Sequence, residues 1–293
     1  MSDAAYLVSA LAAAFIVVVR SSAYPFQLRR LRLGHAEEFL TGDVVFSDTQ
    51  IDELRSLAQL HEFDNPYECN DSVQQQRLLR RILQPSHKLQ WRRLCVRGEP
   101  LMVTDPLLAP LLASLPTLTE LSVCFEEERG TDANGDEIEI PGYVAPALSF
   151  FLPLRQLTSL SVSGHRVDYD ELAQSIAGCS QLTSLMVGNG SIASRHLEAM
   201  LPCHPKLATV TLFGCSQGLD SLRCFDSAAL SASLTQLTVK WCFGLSRELH
   251  HLLRLRSLVS IEFHGPLDPK AEHRGAFVKR SERFPHLTHS SVS

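Results

Sequence analysis

A phrase of the form Leu-x-x-Leu-x-Val returns along this chain, and from residue 157 onward it returns at a nearly constant distance. It reads Leu118-Thr-Glu-Leu121-Ser-Val123, Leu157-Thr-Ser-Leu160-Ser-Val162 and Leu182-Thr-Ser-Leu185-Met-Val187. It continues as Leu207-Ala-Thr-Val210-Thr-Leu212, Leu234-Thr-Gln-Leu237-Thr-Val239 and Leu258-Val-Ser-Ile261-Glu-Phe263. The last four steps are 25, 25, 27 and 24 residues. A fixed period of this size implies one supersecondary unit per copy. No single copy can bury its own apolar face, so the copies must stack into one continuous core.

Within each phrase the apolar period is two, which predicts a short strand with one buried face. The following stretch changes period. Leu172, Ala173 and Ile176 share one helical face, with Asp168 or Asp170 as candidate cap and Gly178 near the end. Leu197 and Leu201 repeat the pattern at i, i+4, and residues 246–253 predict a third helix. Weaker copies of the phrase are Leu28-Arg-Arg-Leu31-Arg-Leu33, Trp91-Arg-Arg-Leu94-Cys-Val96 and Leu287-Thr-His-Ser290-Ser-Val292. The expectation is nine strands, with two helices at residues 49–63 and 72–83 in the wide gap between the first two weak copies.

The phrase resembles the core of the leucine-rich repeat family, in its ribonuclease-inhibitor-like branch, over residues 27–293. The resemblance implies an α/β leucine-rich repeat solenoid, a horseshoe with an inner parallel sheet and outer helices. Some copies resemble the cysteine-containing repeats of F-box adaptor proteins. Cys179 and Cys203 stand just before a strand, and Cys215 and Cys242 stand at the turn after one. His165 and Gly190 fill that turn slot elsewhere, and no F-box is recognisable upstream.

The whole chain, 1–293, reads as one domain. Residues 1–24 read as a capping helix, because helix, Pro25, Leu28-x-x-Leu31 copies the later order Leu197, Leu201, Pro205, Leu207. The lesser reading is a signal peptide, since residues 7–19 are apolar but Met1-Ser2-Asp3 supplies no basic start. The sequons at Asn70 and Asn189 keep a secreted or cell-surface recognition domain as an alternative. Residues 126–142 read as an acidic hairpin insertion turning at Asn134-Gly135, with residues 123–128 and 137–140 as its arms. Residues 284–293 read as a degenerate last repeat. A net charge of −5 gives no general attraction to nucleic acid or anionic membrane. Eight scattered cysteines without paired spacing suit buried thiols in a reducing compartment, cytoplasmic or nuclear.

The search for chemistry points away from catalysis. The twelve histidines form no metal-ligand spacing. There is no nucleophile elbow, phosphate loop or dinucleotide fingerprint. Asp132, Asn134 and Asp136 imitate the start of a calcium loop, but Glu137 and Tyr143 stand where that loop needs glycine and glutamate. The expectation is no enzyme, no cofactor, no metal and no small-molecule substrate. The reading is a scaffold that holds a protein partner on the concave face. The resemblance adds a substrate-recognition adaptor of a ubiquitin-ligase-like complex as one form of that role. Two sets of candidate binding residues lie along the outward slots: Arg30, Arg32, Arg93 and Arg97, and then Phe213, Lys240 and His264 together with Trp241, which takes the slot beyond the strand that elsewhere holds Gly98, Gly164, Gly214 or Gly265. Phosphate or nucleic-acid binding through the arginine set is the remaining alternative.

Overall fold

Alternation of apolar and polar residues forms strands here because each buried side chain meets its counterpart one repeat away. The computed structural model describes residues 30–32, 62–65, 91–98, 112–125, 129–131, 137–139, 148–164, 167–215, 219, 221–242, 249–264 and 289–292. The chain divides into two compact units, Met1–Val144 and Ala145–Ser293.

In the first unit, β1 (Arg30–Arg32), β2 (Glu62–Asn65), β3 (Arg93–Gly98) and β4 (Glu120–Phe125) pair in parallel in that order. Leu31, Phe63, Leu94 and Leu121 share one row of the register. β2 corrects the sequence expectation, which ended a helix at residue 63 and had no strand there. Its phrase is Leu60-His-Glu-Phe63-Asp-Asn65, with asparagine where the repeat carries valine. The sheets therefore hold ten described parallel strands rather than nine, four in this unit and six in the next. A separate antiparallel pair joins β5 (Arg129–Thr131) to β6 (Glu137–Glu139). Residues 123–125 belong to β4, so the first arm of this hairpin starts at Arg129 and not at Val123. The proposed capping helix, the helix at 72–83, the sequon at Asn70 and the calcium-like positions lie outside the described residues.

In the second unit, β7 (Ser159–Gly164), β8 (Ser184–Gly190), β9 (Thr209–Cys215), β10 (Gln236–Lys240), β11 (Ser260–His264) and β12 (His289–Val292) pair in parallel in chain order. Leu160, Leu185, Val210, Leu237 and Ile261 form one buried row, and each is at most 1% exposed. Burying one such side chain contributes about 1.5–3 kcal/mol, so the rows are the main stabilising force. Ser290 of β12 is the register partner of Ile261, in the slot that leucine, valine or isoleucine fills in the preceding strands.

The recurrent Thr after the first leucine has its own physical reason. Thr183 Oγ1 donates to the Thr158 carbonyl at 2.9 Å, Thr235 Oγ1 to Ala208 at 3.1 Å and Thr119 Oγ1 to Arg92 at 3.1 Å. Each hydroxyl ties its repeat to the one before. A second ladder lies three residues before that leucine. Cys179 Sγ donates to the Leu154 carbonyl at 3.4 Å, and His204 Nδ1 meets the Cys179 carbonyl at 3.2 Å. The slot equivalent to Cys179 is thus filled by His204; Cys203, its expected occupant, is exposed.

Outside the sheet, α1 (Tyr169–Ile176) starts at Asp168, whose Oδ1 accepts from the backbone N–H of Asp170 and Glu171, both at 3.0 Å. It buries Tyr169, Leu172, Ala173, Ser175 and Ile176. α2 (Ser194–Met200) runs into a 3-10 turn at Leu201–Cys203. α3 (Ala228–Ser233) follows a 3-10 turn at Arg223–Asp226. Where a helix over residues 246–253 was expected, Leu249–Arg254 is a 3-10 segment. No described helix is long and apolar enough to cross a membrane.

Candidate functional site

The strand alternation that buries leucine and valine leaves two solvent-facing rows on the second unit and a third that is buried at Ser163 and Gly188 and half-buried from Phe213 onward. The first is Ser159, Ser184, Thr209, Gln236 and Ser260; the second is Ser161, Met186, Thr211, Thr238 and Glu262. The third is Ser163, Gly188, Phe213, Lys240 and His264. The first two rows are mostly hydroxyls and carry one charge, Glu262. Met186 is among the few large apolar side chains that stand exposed.

The register brings three of the aromatic-set residues together. Phe213, Lys240 and His264 are direct neighbours on β9, β10 and β11. The half-buried Phe213 leans back over Gly188, where an added Cβ would come within 2.4 Å of its ring. Glycine is required there because the ring occupies the space a side chain would need. His264 Nε2 lies 3.4 Å from Glu262 Oε2, so these two groups partly satisfy each other. The ammonium of half-buried Lys240 makes no ion pair among the described residues.

Trp241 follows directly and is 61% exposed. It has φ +55°, and its N–H donates to the His264 carbonyl at 2.6 Å. Gly164, Asn189 and Gly214 occupy the equivalent position in the three preceding repeats, and all have positive φ. The slot therefore demands a backbone form that suits glycine and asparagine and opposes a bulky residue. Asn189, half-buried with its side chain against Gly214, carries the second sequon in this same slot.

One residue beyond, Cys215 and Cys242 occupy the turn, both buried. Cys242 Sγ donates to the Lys240 carbonyl at 3.4 Å. The neighbouring Cys242 thiol, and after it burial, pushes the Cys215 thiol up, while Cys215 holds the Cys242 thiol down against the upward push of burial. Each thiol thus reaches a backbone carbonyl two residues earlier in its own turn, Cys215 that of Phe213 and Cys242 that of Lys240.

The arginine set falls in the first unit, and its surroundings change its meaning. Arg30, Glu62, Arg93 and Glu120 are successive register partners, so basic and acidic residues alternate along one row. Arg32 is opposite Asp64 in the next row. Arg93 Nε lies 3.6 Å from Glu120 Oε2, with both side chains about half exposed. Arg97 stands opposite Cys124. The acidic residues that stand beside these arginines in the register come from β2, which the repeat pattern does not announce, and from β4.

Two polar groupings outside these rows tie repeats together. Asp226 Oδ2 accepts from His251 Nδ1 and Arg254 Nη1, each at 2.8 Å, joining two 3-10 segments one repeat apart. His196 Nδ1 accepts the Ala193 N–H at 2.9 Å at the start of α2, and its Nε2 lies 3.6 Å from Asp170 Oδ1 on α1, one repeat earlier. Among the described residues, no group of three or more His, Cys, Asp or Glu is placed to hold a metal.

No protein-family model matches the chain, and no curated protein matches it in sequence. Solved structures match its fold. The complex of TLR13 with ssRNA13 superposes with a TM-score of 0.52 at 16% identity, over 92% of this chain and 36% of that one. An internalin, InlF, from Listeria monocytogenes matches with a TM-score of 0.48 at 12% identity, over 98% of this chain and 71% of that one. The chain has the α/β leucine-rich repeat solenoid fold.

Proposed function

We propose that this solenoid is a non-catalytic scaffold that holds a protein partner on the solvent-facing side of its sheet, with Phe213, Lys240, Trp241 and His264 as the anchor. The observation that carries the reading is the pairing of a 61% exposed Trp241 with a neighbouring cation that has no ion pair among the described residues. Exposed tryptophan beside a polar or charged group is a frequent centre of binding energy. The hydroxyl rows beside it offer hydrogen bonds and carry a single charge, Glu262, which lies 3.4 Å from His264. A partner protein on such a surface agrees with the general use of solenoids as extended binding faces.

Phosphate or nucleic-acid binding through Arg30, Arg32, Arg93 and Arg97 is less well supported. Polyanion affinity grows with the number of uncompensated cations, and here Glu62, Asp64 and Glu120 interleave with the arginines. These arginines are assigned a role in orientation rather than affinity. The ribonuclease-inhibitor-like branch has support from α1 and α2 and less from the short 3-10 segments. A substrate-adaptor role draws on Cys179, Cys215 and Cys242 in their repeat slots. Buried thiols fit a cytoplasmic or nuclear setting better than a secreted one.

The test compares partners captured in cells by the wild-type chain, by Phe213→Ala/Trp241→Ala and by a charge-neutral Arg30/Arg32/Arg93/Arg97 variant, each checked for native melting. The aromatic variant is expected to lose the partner, at a cost of about 2 kcal/mol or more for Trp241 alone. The arginine variant is expected to slow association and weaken its salt dependence. Retention of every partner by both variants would remove the sheet face as the binding surface.

A further inference from the structure

Building on the scaffold reading, we propose that the Lys240–Trp241 corner recognises an acidic peptide segment of the partner, one that sets a carboxylate next to an apolar side chain. Two independent observations carry this. The first is the backbone of Trp241. At φ +55°, in a slot held by Gly164, Asn189 and Gly214 in the preceding repeats, it adopts a conformation that a bulky side chain opposes. Its N–H bond to His264 fixes that conformation, and the side chain is left largely in solvent. Packing of the fold does not explain a tryptophan there; contact with something outside the chain does.

The second observation is the charge of the face. Across the three rows of the second unit, the charged residues are Lys240 and Glu262, and Glu262 already faces His264 at 3.4 Å. Lys240 has no ion pair among the described residues. A cation with no ion pair among the described residues, beside hydroxyl rows, matches one carboxylate on an otherwise neutral, hydrogen-bonding segment. It does not match a nucleic acid, which needs several cations in line. Lys240 and Trp241 are adjacent in sequence, so the carboxylate and the apolar group of the ligand must be close neighbours too. The lysine contact supplies a point charge, and the tryptophan supplies apolar area at little cost in conformational freedom.

The experiment selects phage-displayed random dodecapeptides on the intact chain and measures binding of the selected synthetic peptides by fluorescence anisotropy. Parallel measurements use a single-stranded oligouridylate, and sedimentation tests for self-association. The expected peptides carry Asp or Glu next to an apolar residue. Replacing that acid by its amide, Lys240→Met or Trp241→Gly is expected to weaken binding at least tenfold each, and Lys240→Glu to favour a peptide whose acid is changed to lysine. Trp241→Gly is also expected to melt no lower than wild type, because glycine suits the slot. A clear fall in its melting temperature would show that the tryptophan packs the turn, and would overturn the inference. Selected peptides that depend on Phe213 and Trp241 but not on a carboxylate would overturn the acidic ligand while leaving the scaffold reading intact. Peptides indifferent to Phe213, Lys240 and Trp241 would overturn both. Absence of any selected peptide, tight oligouridylate binding that needs Lys240, or burial of the corner in a dimer of this chain would also reject the acidic peptide.

Discussion

Single residues in this solenoid are read by the column they occupy. The slot three residues before the first repeat leucine is filled by Leu154, Cys179, His204 and Leu255 in different repeats. His204 is fully buried; one ring nitrogen meets the Cys179 carbonyl, and the other has no partner. Burial lowers its pKa below the usual imidazole value, and the Cys179 carbonyl opposes that only in part. The native ring is therefore neutral. Above a pH of about 6.5 the unfolded ring is neutral as well, and stability is at its full value. As pH falls below that point the unfolded chain binds a proton that the native chain refuses, so stability declines until the native ring itself protonates. His196, also depressed by burial despite Asp170, acts in the same sense. His204→Leu copies the repeats that carry Leu154 and Leu255 in this slot. At pH 7.5 it is expected to cost about 1 kcal/mol for the lost carbonyl bond. By pH 5 that deficit is expected to shrink or reverse, as read by urea denaturation at both values. An unchanged difference across that range would mean that His204 titrates alike in the folded and unfolded chain.

At the scale of elements, the strands were legible and the segments between them less so. Buried leucine and valine at period two are a strong local signal, and the buried row Leu160, Leu185, Leu237 appears where the phrase put it. β2 was hidden because Asn65 stands in the valine slot and the residues before it continue a helical pattern. The 3-10 segment Leu249–Arg254 was read as a helix because Leu249, Leu252 and Leu253 fit helical spacing. Spacing alone cannot distinguish a tighter turn held by Asp226 from an α-helix. The Asp168 cap was legible up to a choice between two aspartates, and the geometry selects the first. Asp168→Ala removes an acceptor from two N–H groups of α1 and is expected to cost about 1 kcal/mol. Asp168→Asn, which can still accept, is expected to recover most of it. Thermal melts of the two variants distinguish a cap from a general charge effect, which would make both equally unstable.

For the molecule as a whole, the sequence disclosed which residues face outward but not what stands beside them. Phe213, Lys240 and His264 are neighbours because the repeat spacing sets the register. The positive φ of Trp241 and the acids between the arginines depend on turn geometry and on β2, which no period announced. A stack of this kind also makes a prediction about how damage spreads. Each repeat touches only the one before and the one after, so stability is a sum of repeat and nearest-neighbour terms. Leu185 sits in β8, wholly buried between Leu160 and Val210. Leu185→Asp places a carboxylate there with no partner and is expected to cost several kcal/mol. Hydrogen exchange should quicken most in β7, β8 and β9, whose hydrogen bonds the change loosens directly. It should quicken less in β11, two strands beyond β9, as long as the variant stays folded. Wild-type melting would disprove the register itself. Uniform quickening across β7 to β11 would instead show that this unit opens as one cooperative body, and that its interfaces are stronger than its individual repeats.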